Sequence, residues 1–449
     1  MSKIVIAGGG WAGCAAAVRA AKLGMETVLI EKTDLLLGLG NVGGIMRNNG
    51  RFTAAEENIA MGAGELFEIT DRLSTHKNVD FPGHRHASLY DTRAIEPEVR
   101  RLLQSLGVEI RFMCRAVDVI MDEEGKPAPR IQPAEGDAPR RVKALKLMKA
   151  NGGHYIEDIL RGDVFVETTG STGPMGNCAR HGSGCAMCIL RCPAFGPRVS
   201  LTAKAGACDL TGERAGGVPG AFSGSCKIDK STLSKKLQKK LEKDGFAAVP
   251  LPEHLVNPGK LSQKVCQQYA LPEFAENVIV LDTGCAKLMT PFFNLEQLRT
   301  VEGFENAMFS DPYAGGKSNS LRYMAVGERD EFMRARGFEN LFLGGEKSGF
   351  FVGHTEAITT GSLAGYNAAV TAAGGHLLEL PDSLATGDLI KYAQDALTEE
   401  NALQRRFTFA GGEYFRRMEE KGLYSTDPKK IKKRVKEAGL ENIYNKALM

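Results

Sequence analysis

The chain of 449 residues contains no run of eighteen apolar residues, so no membrane-spanning helix is expected. It also lacks a charge bias. Fifty-seven Lys and Arg against 54 Asp and Glu leave a net charge of +3, too small by itself to imply a nucleic-acid partner. No secretory leader is expected, because Lys3-Ile4-Val5-Ile6-Ala7 already reads as a buried strand where a leader would stand. No internal repeat is evident, and low complexity is confined to short lysine runs. These absences favour the cytoplasm, where disulfides are rare. Of the ten cysteines, the scattered Cys14, Cys114 and Cys266 are expected to be buried small apolar residues. Glycine, by contrast, is abundant. The 52 glycines cluster at 8–13, 38–44, 170–184 and 344–353, which suggests loops where backbone approaches a ligand.

The first cluster sits in a recognisable order. After the strand at 3–7 comes Gly8-Gly9-Gly10-Trp11-Ala12-Gly13, matching G-x-G-x-x-G at Gly8, Gly10 and Gly13. An alanine-rich helix then runs to a glycine cap at Gly24, and the strand Thr27-Val28-Leu29-Ile30 is closed by Glu31 and Lys32. One glycine makes the tight turn, one admits a pyrophosphate, and one lets the helix pack on the strand. The helix N-terminus, with Trp11 and Ala12, offers unpaired N–H groups to a diphosphate, and Glu31 stands where an acid would bind ribose hydroxyls. The order fits a flavin or a nicotinamide dinucleotide.

Farther on, residues 93–107 form an amphipathic helix with Ile95, Val99, Leu102, Leu103 and Leu106 on one face, capped by Asp91 or Thr92. A strand at 108–112 follows. Residues 115–161 read as a β-meander with a polar tip at 122–140, and the strand 162–170 ends at Thr169-Gly170. A late strand, 337–344, ends at Gly344-Gly345-Glu346, and a small-residue helix begins near Thr355.

Four cysteines lie close together. Cys185-x2-Cys188-x3-Cys192-Pro193 is three quarters of a bacterial ferredoxin run, and Cys178 is the nearest fourth thiolate. Cys208, Cys226 and Cys285 are reserves for that position. A [4Fe–4S] cluster suits the spacing best. Structural zinc also accepts four thiolates, though usually from two separated pairs. Redox-active thiols are the third alternative.

The layout of residues 1–120, 160–175 and 337–372 resembles the glutathione-reductase-like FAD-dependent oxidoreductases. The resemblance implies FAD, with Gly345 and Glu346 at its ribityl phosphate end and Gly43 and Gly44 in a glycine loop near the isoalloxazine. It also implies that the helix at 355–365 aims its N-terminus at the flavin pyrimidine, with Ala357, Gly361, Ala364 and Gly365 allowing close packing. No second strand–GxGxxG–helix unit appears, so a dedicated nicotinamide domain is not expected. FAD together with the cysteine run resembles the flavin subunits of anaerobic electron-transfer complexes of the heterodisulfide reductase type. The stretch from Gly345 to Ala369 also resembles the folate/FAD-dependent tRNA uridine methyltransferases.

These readings predict an α/β protein: a Rossmann-type FAD-binding domain with a β-meander, in two parts at 1–175 and 331–378. An inserted cluster and substrate domain spans 176–330, and a helical extension spans 379–449 that covers the FAD domain or mediates self-association. The leading functional expectation is an iron–sulfur flavoprotein oxidoreductase passing electrons between FAD and the cluster. The alternatives are a flavin-dependent tRNA- or rRNA-modifying enzyme and an electron-transfer subunit of a larger complex. His354, and secondarily His86, are the candidate proton donors beside the flavin, with Tyr90 near them. Arg198 and Lys204 are candidates for binding an anion, and Phe350 and Phe351 for core packing or ring contact. The partner is expected to be a small molecule or an electron-transfer protein. The lysine-rich helices at 233–241 and 429–436 read first as solvated faces and second as phosphate binders, and a homo-oligomer is possible.

Overall fold

The computed structural model describes residues 1–122, 139–151, 154–170, 199–207, 209–214, 216–222, 225–263, 267–290, 293–310, 321–322 and 324–448. Strand β1 (Lys3–Ala7) feeds helix α1 (Trp11–Lys22), which returns through β2 (Glu26–Ile30). A second layer follows: β3 (Ile45–Met46), helix α2 (Gly50–Ala60), and the hairpin of β4 (Ser74–Phe81) and β5 (His84–Tyr90). Helix α3 (Ile95–Ser105) leads to β6 (Glu109–Arg111). The meander is β7 (Cys114–Met121), β8 (Val142–Asn151) and β9 (His154–Arg161), and β10 (Val164–Glu167) re-enters the main sheet.

Residues 226–288 build a separate antiparallel sheet: β11 (Cys226–Ile228), helix α4 (Lys235–Asp244), β12 (Phe246–Pro250), β13 (Asn277–Asp282) and β14 (Ala286–Leu288). The late strand is β15 (Leu341–Leu343), followed by the long helix α5 (His354–Ala373). Helices α6 (Ala385–Asp395), α7 (Gly412–Glu420) and α8 (Pro428–Glu437) complete the chain.

The main sheet is parallel, in the order β15–β10–β1–β2–β6. Its central strands read as unbroken apolar runs because helices or the meander cover both faces; Ile4, Val5, Ile6, Val28 and Leu29 are all fully buried. Helices α1 and α5 pack against each other over this sheet. A methyl group on Gly361 would stand 2.2 Å from the Ala12 carbonyl oxygen, and one on Gly365 2.4 Å from that of Ala16. The small residues expected in this helix are therefore a requirement of backbone contact.

The α/β architecture, the parallel sheet, the β-meander and the helical C-terminal region match the sequence expectations. Cys14 and Cys114 are buried as expected, and Cys266 lies outside the described residues. The extension covers the FAD-type core: Leu380, Leu384, Ile390, Val435, Leu440 and Tyr444 share one apolar cluster with α1 and the sheet. Helices α4 and α8 bury Leu237 and Leu241, and Ile431 and Val435, leaving their lysines outward. No described helix is long and apolar enough to cross a membrane.

Two expectations need correction. Residues 84–90, in which the sequence shows no strand, form strand β5, paired with β3 and β4. Helix α3 has Ala94, not Asp91 or Thr92, at its cap. Asp91 instead accepts from the Arg93 N–H two residues on at 2.9 Å, a local turn, and the Thr92 hydroxyl donates to the Thr283 carbonyl at 3.3 Å, a tertiary contact, so neither side chain caps the helix.

Candidate functional site

An open cleft lies at the carboxyl ends of β1, β2 and β10, where an open parallel sheet binds its ligands. The three fingerprint glycines meet it in different ways. Gly8 has φ +103°, a turn that other residues rarely adopt, and its Cβ would press on Thr168. A Cβ on Gly13 would stand 1.8 Å from the Gly8 carbonyl oxygen, so Gly13 serves packing and does not line the cleft. A Cβ on Gly10 would touch nothing within 4 Å; its bare backbone faces the cleft.

Helix α1 starts at Gly10 with no side-chain cap, so its first N–H groups, with Trp11 and Ala12 in the wall, remain for a ligand. At the end of β2, the Glu31 carboxylate accepts from Gly9 N–H at 2.8 Å and from Thr33 N–H at 2.9 Å. Glu31 and Lys32 line the cleft. Cys114, Arg115 and Ala116 of β7 close this end.

The remaining expected residues converge from the other side. Gly170 and Glu346 pack so closely that a methyl group on Gly170 would stand 2.3 Å from the Glu346 Cβ. The Gly345 N–H donates to Thr360 Oγ1 at 2.9 Å, tying the turn to α5. Helix α5 begins at Gly353, also without a side-chain cap, and presents His354 and Ala357 to the cleft. Gly43 lies against the His354 ring, where a Cβ would stand 1.9 Å from Cε1. Gly44 lies outside the lining and makes a left-handed turn at φ +76° against Thr283.

Around His354 the site is cationic. Burial, with the charges of Arg51 and Lys287, pushes its pKa down to about 3, so the imidazole is neutral at pH 7. Its ring lies 5.7 Å from that of Trp11, and its Nδ1 is 3.4 Å from the Tyr90 hydroxyl, which donates to the Gly40 carbonyl at 2.7 Å. Arg51 donates through Nε to Glu356 at 3.1 Å and through Nη2 to the Val352 carbonyl at 2.9 Å, bracing the start of α5. Lys287 on β14 donates to the Gly43 carbonyl, and Lys227 on β11 to that of Asn41 at 2.8 Å. The antiparallel sheet thus holds the glycine turn in place.

His86 is not brought to this site. It is half-buried on the hairpin, with φ +62° and its ring against Phe52, and is absent from the cleft lining. Register shifts in the β4–β5 pairing break the alternation that would place it on the face of His84. Phe350 and Phe351 are fully buried among the C-terminal helices, and Lys204 is exposed.

Cys178, Cys185, Cys188 and Cys192 lie outside the described residues, as do Arg198 and the reserve Cys208. Among the described residues no group of three or more His, Cys, Asp or Glu could hold a metal ion. The other reserves, Cys226 and Cys285, are buried, and burial pushes the Cys226 thiol up to about 12.

Sequence reasoning missed Arg51, Gln268, Tyr269, Lys287 and Met289, all in the cleft wall. Lys287 had a signal: a lysine between Ala286 and Leu288 on a short apolar strand is a buried cation. The others carry none, because tertiary packing alone brings them to the site.

The sequence matches the family described as Glucose inhibited division protein A over residues 3–279 and 273–376. No curated protein matches the chain. Among solved structures, the form I crystal of Aquifex aeolicus GidA is similar at 14% identity and TM-score 0.59, covering 97% of this chain and 78% of that one. The form II crystal is similar at 15% identity and TM-score 0.57, covering 97% and 76%. These likenesses support the shared fold.

Proposed function

Because the chain belongs to the Glucose inhibited division protein A family, we propose that it is a FAD-dependent enzyme that modifies tRNA. The observation that carries the FAD assignment is the cleft itself. Two uncapped helix N-termini and a glycine with an open face point into it, and a carboxylate stands at the ribose position. These residues fit a dinucleotide. Gly10 and the start of α1 would hold the diphosphate, Glu31 the ribose, and Gly345 and Glu346 the ribityl phosphate end. FAD would supply two-electron redox chemistry. Around it, Arg51, Lys287 and the α5 N-terminus favour negative charge, and neutral His354 can exchange a proton.

The tRNA assignment rests on the family and on the resemblance of residues 345–369 to the tRNA uridine methyltransferases. Family membership favours this reading over the electron-transfer one. It is tested by nucleoside mass spectrometry of tRNA from cells lacking the gene, with and without complementation. A uridine modification that disappears and returns supports it; identical nucleoside profiles contradict it.

A second reading keeps the iron–sulfur chemistry. Its support is the spacing Cys185-x2-Cys188-x3-Cys192-Pro193, with Cys178 as fourth thiolate. Anaerobic purification with metal analysis tests it: about four iron atoms per chain are expected for one [4Fe–4S] cluster. Stoichiometric zinc, or neither metal, contradicts it.

A further inference from the structure

The groups assigned to the dinucleotide come from the parallel sheet and the helices packed on it. That assignment leaves unused the wall supplied by the antiparallel sheet and its neighbours. Lys287 and Met289, two residues apart at the end of β14, both line the cleft, as the alternation of a strand directs. Ile45, Tyr269 and Val352 stand in the same lining, all buried. Tyr269 is braced by His84: the ring centroids lie 4.7 Å apart, and His84 Nε2 meets the Gln268 carbonyl at 3.2 Å. An aromatic and polarisable apolar wall suits a flat ring.

Lys287 also stands directly opposite Lys227 in the β11–β14 pairing, so two ammonium groups share one face of the sheet. Both reach the same glycine turn, Lys287 at the Gly43 carbonyl and Lys227 at that of Asn41. Like charges placed opposite each other destabilise a sheet. The Asp91 carboxylate acts on Lys227 but is itself held by Arg93 at 2.6 Å. Arg51, a cation of the same cleft, is matched by Glu356 at 3.1 Å. The charge of Lys287 reaches into the cleft, where it helps to keep His354 neutral. An anion beside Lys287 offsets the repulsion between the lysines and is attracted more strongly there than in water.

We propose that this end of the cleft takes a planar ring bearing an anionic oxygen, its face on Tyr269 and Met289 and its charge drawn to Lys287. Lys227 is a positioning residue that holds the glycine turn and adds to the field at Lys287. The proposal rests on the cleft being the FAD-dependent site and names the chemical class of its substrate.

The test titrates the purified holoprotein with three probes, following the flavin absorption spectrum. Benzoate carries ring and charge, benzamide keeps the ring and loses the charge, and acetate keeps the charge and loses the ring. Benzoate should bind about tenfold more tightly than either, the size of one charged contact or one buried ring. Lys287→Met should abolish the preference for benzoate over benzamide, and Lys287→Arg, which keeps the charge, should retain it. Lys227→Met should weaken that preference and Lys227→Arg restore it. No benzoate binding, equal binding of benzoate and either other probe, or a Lys287→Met protein that keeps the preference overturns the proposal. A Lys227→Met protein as selective as the wild type overturns the positioning role. The same spectra report flavin content. A flavin-bearing protein without preference sinks only the anion subsite, whereas a protein without flavin sinks the FAD reading itself.

Discussion

Single atoms decide much of this site. Gly13 and Gly10 stand three residues apart yet have opposite tolerances. A methyl group on Gly13 would meet a backbone carbonyl, which cannot move without shifting β1 against α1. Gly13→Ala should therefore destabilise the fold by about 1–3 kcal/mol or more in urea unfolding, while Gly10→Ala should unfold within about 0.5 kcal/mol of wild type. Equal effects would contradict the separate roles.

Two histidines of the site give a pH signature. In the fold, His84 and His354 both sit at about 3, against 6.5 for a free imidazole. The unfolded chain takes up protons that the folded chain refuses between those values. Their contribution to stability is therefore full above pH 6.5 and is lost progressively as pH falls toward 3. Melting temperature measured from pH 7.5 to 5 should fall with acidity, and less steeply in His84→Gln. A parallel decline in both proteins would contradict the assignment.

At the scale of elements, the start of α5 is set by a buried ion pair. Arg51 comes from α2 and Glu356 from α5, with side chains 4% and 0% exposed. Glu356 also accepts from the Thr408 hydroxyl at 2.6 Å and the Phe409 N–H at 2.8 Å, so three separate segments meet at one carboxylate. Glu356→Gln leaves the guanidinium without its countercharge and should cost about 3–5 kcal/mol. A loss under about 1 kcal/mol in urea unfolding would mean that the pair does not organise this helix start.

Elements also show where the sequence was readable. The unit from β1 to Glu31 was legible because its signals are local: an apolar strand, spaced glycines, an alanine-rich helix and an acid. The meander was legible from its repeated short strands. Strand β5 was not, because bulges in the hairpin blur the alternation that marks a strand. Half the cleft was legible for the same local reason. The half supplied by Arg51, Gln268 and Lys287 was not, since those residues lie far apart in sequence: the antiparallel sheet packed on the hairpin brings in Gln268 and Lys287, and Arg51 is held by Glu356 and the Val352 carbonyl.

For the whole molecule, the helical extension is part of the core. Removing residues 379–449 would strip Leu384, Ile390, Val435 and Tyr444 from the cluster that covers α1 and α5. The truncated chain should be insoluble or lack a cooperative melting transition. A truncated protein that melts like the full chain would show that the extension is dispensable.

The cleft at the ends of the parallel strands is the feature on which every functional statement depends. It is tested most directly by the flavin content of the purified chain, identified by chromatography after heat release, beside that of Gly10→Glu, which places a carboxylate where a diphosphate would lie. About one FAD per chain in the wild type, and none in a Gly10→Glu protein that still melts cooperatively, is the expected result. A wild type without flavin, or a variant that retains it in full, would contradict the account.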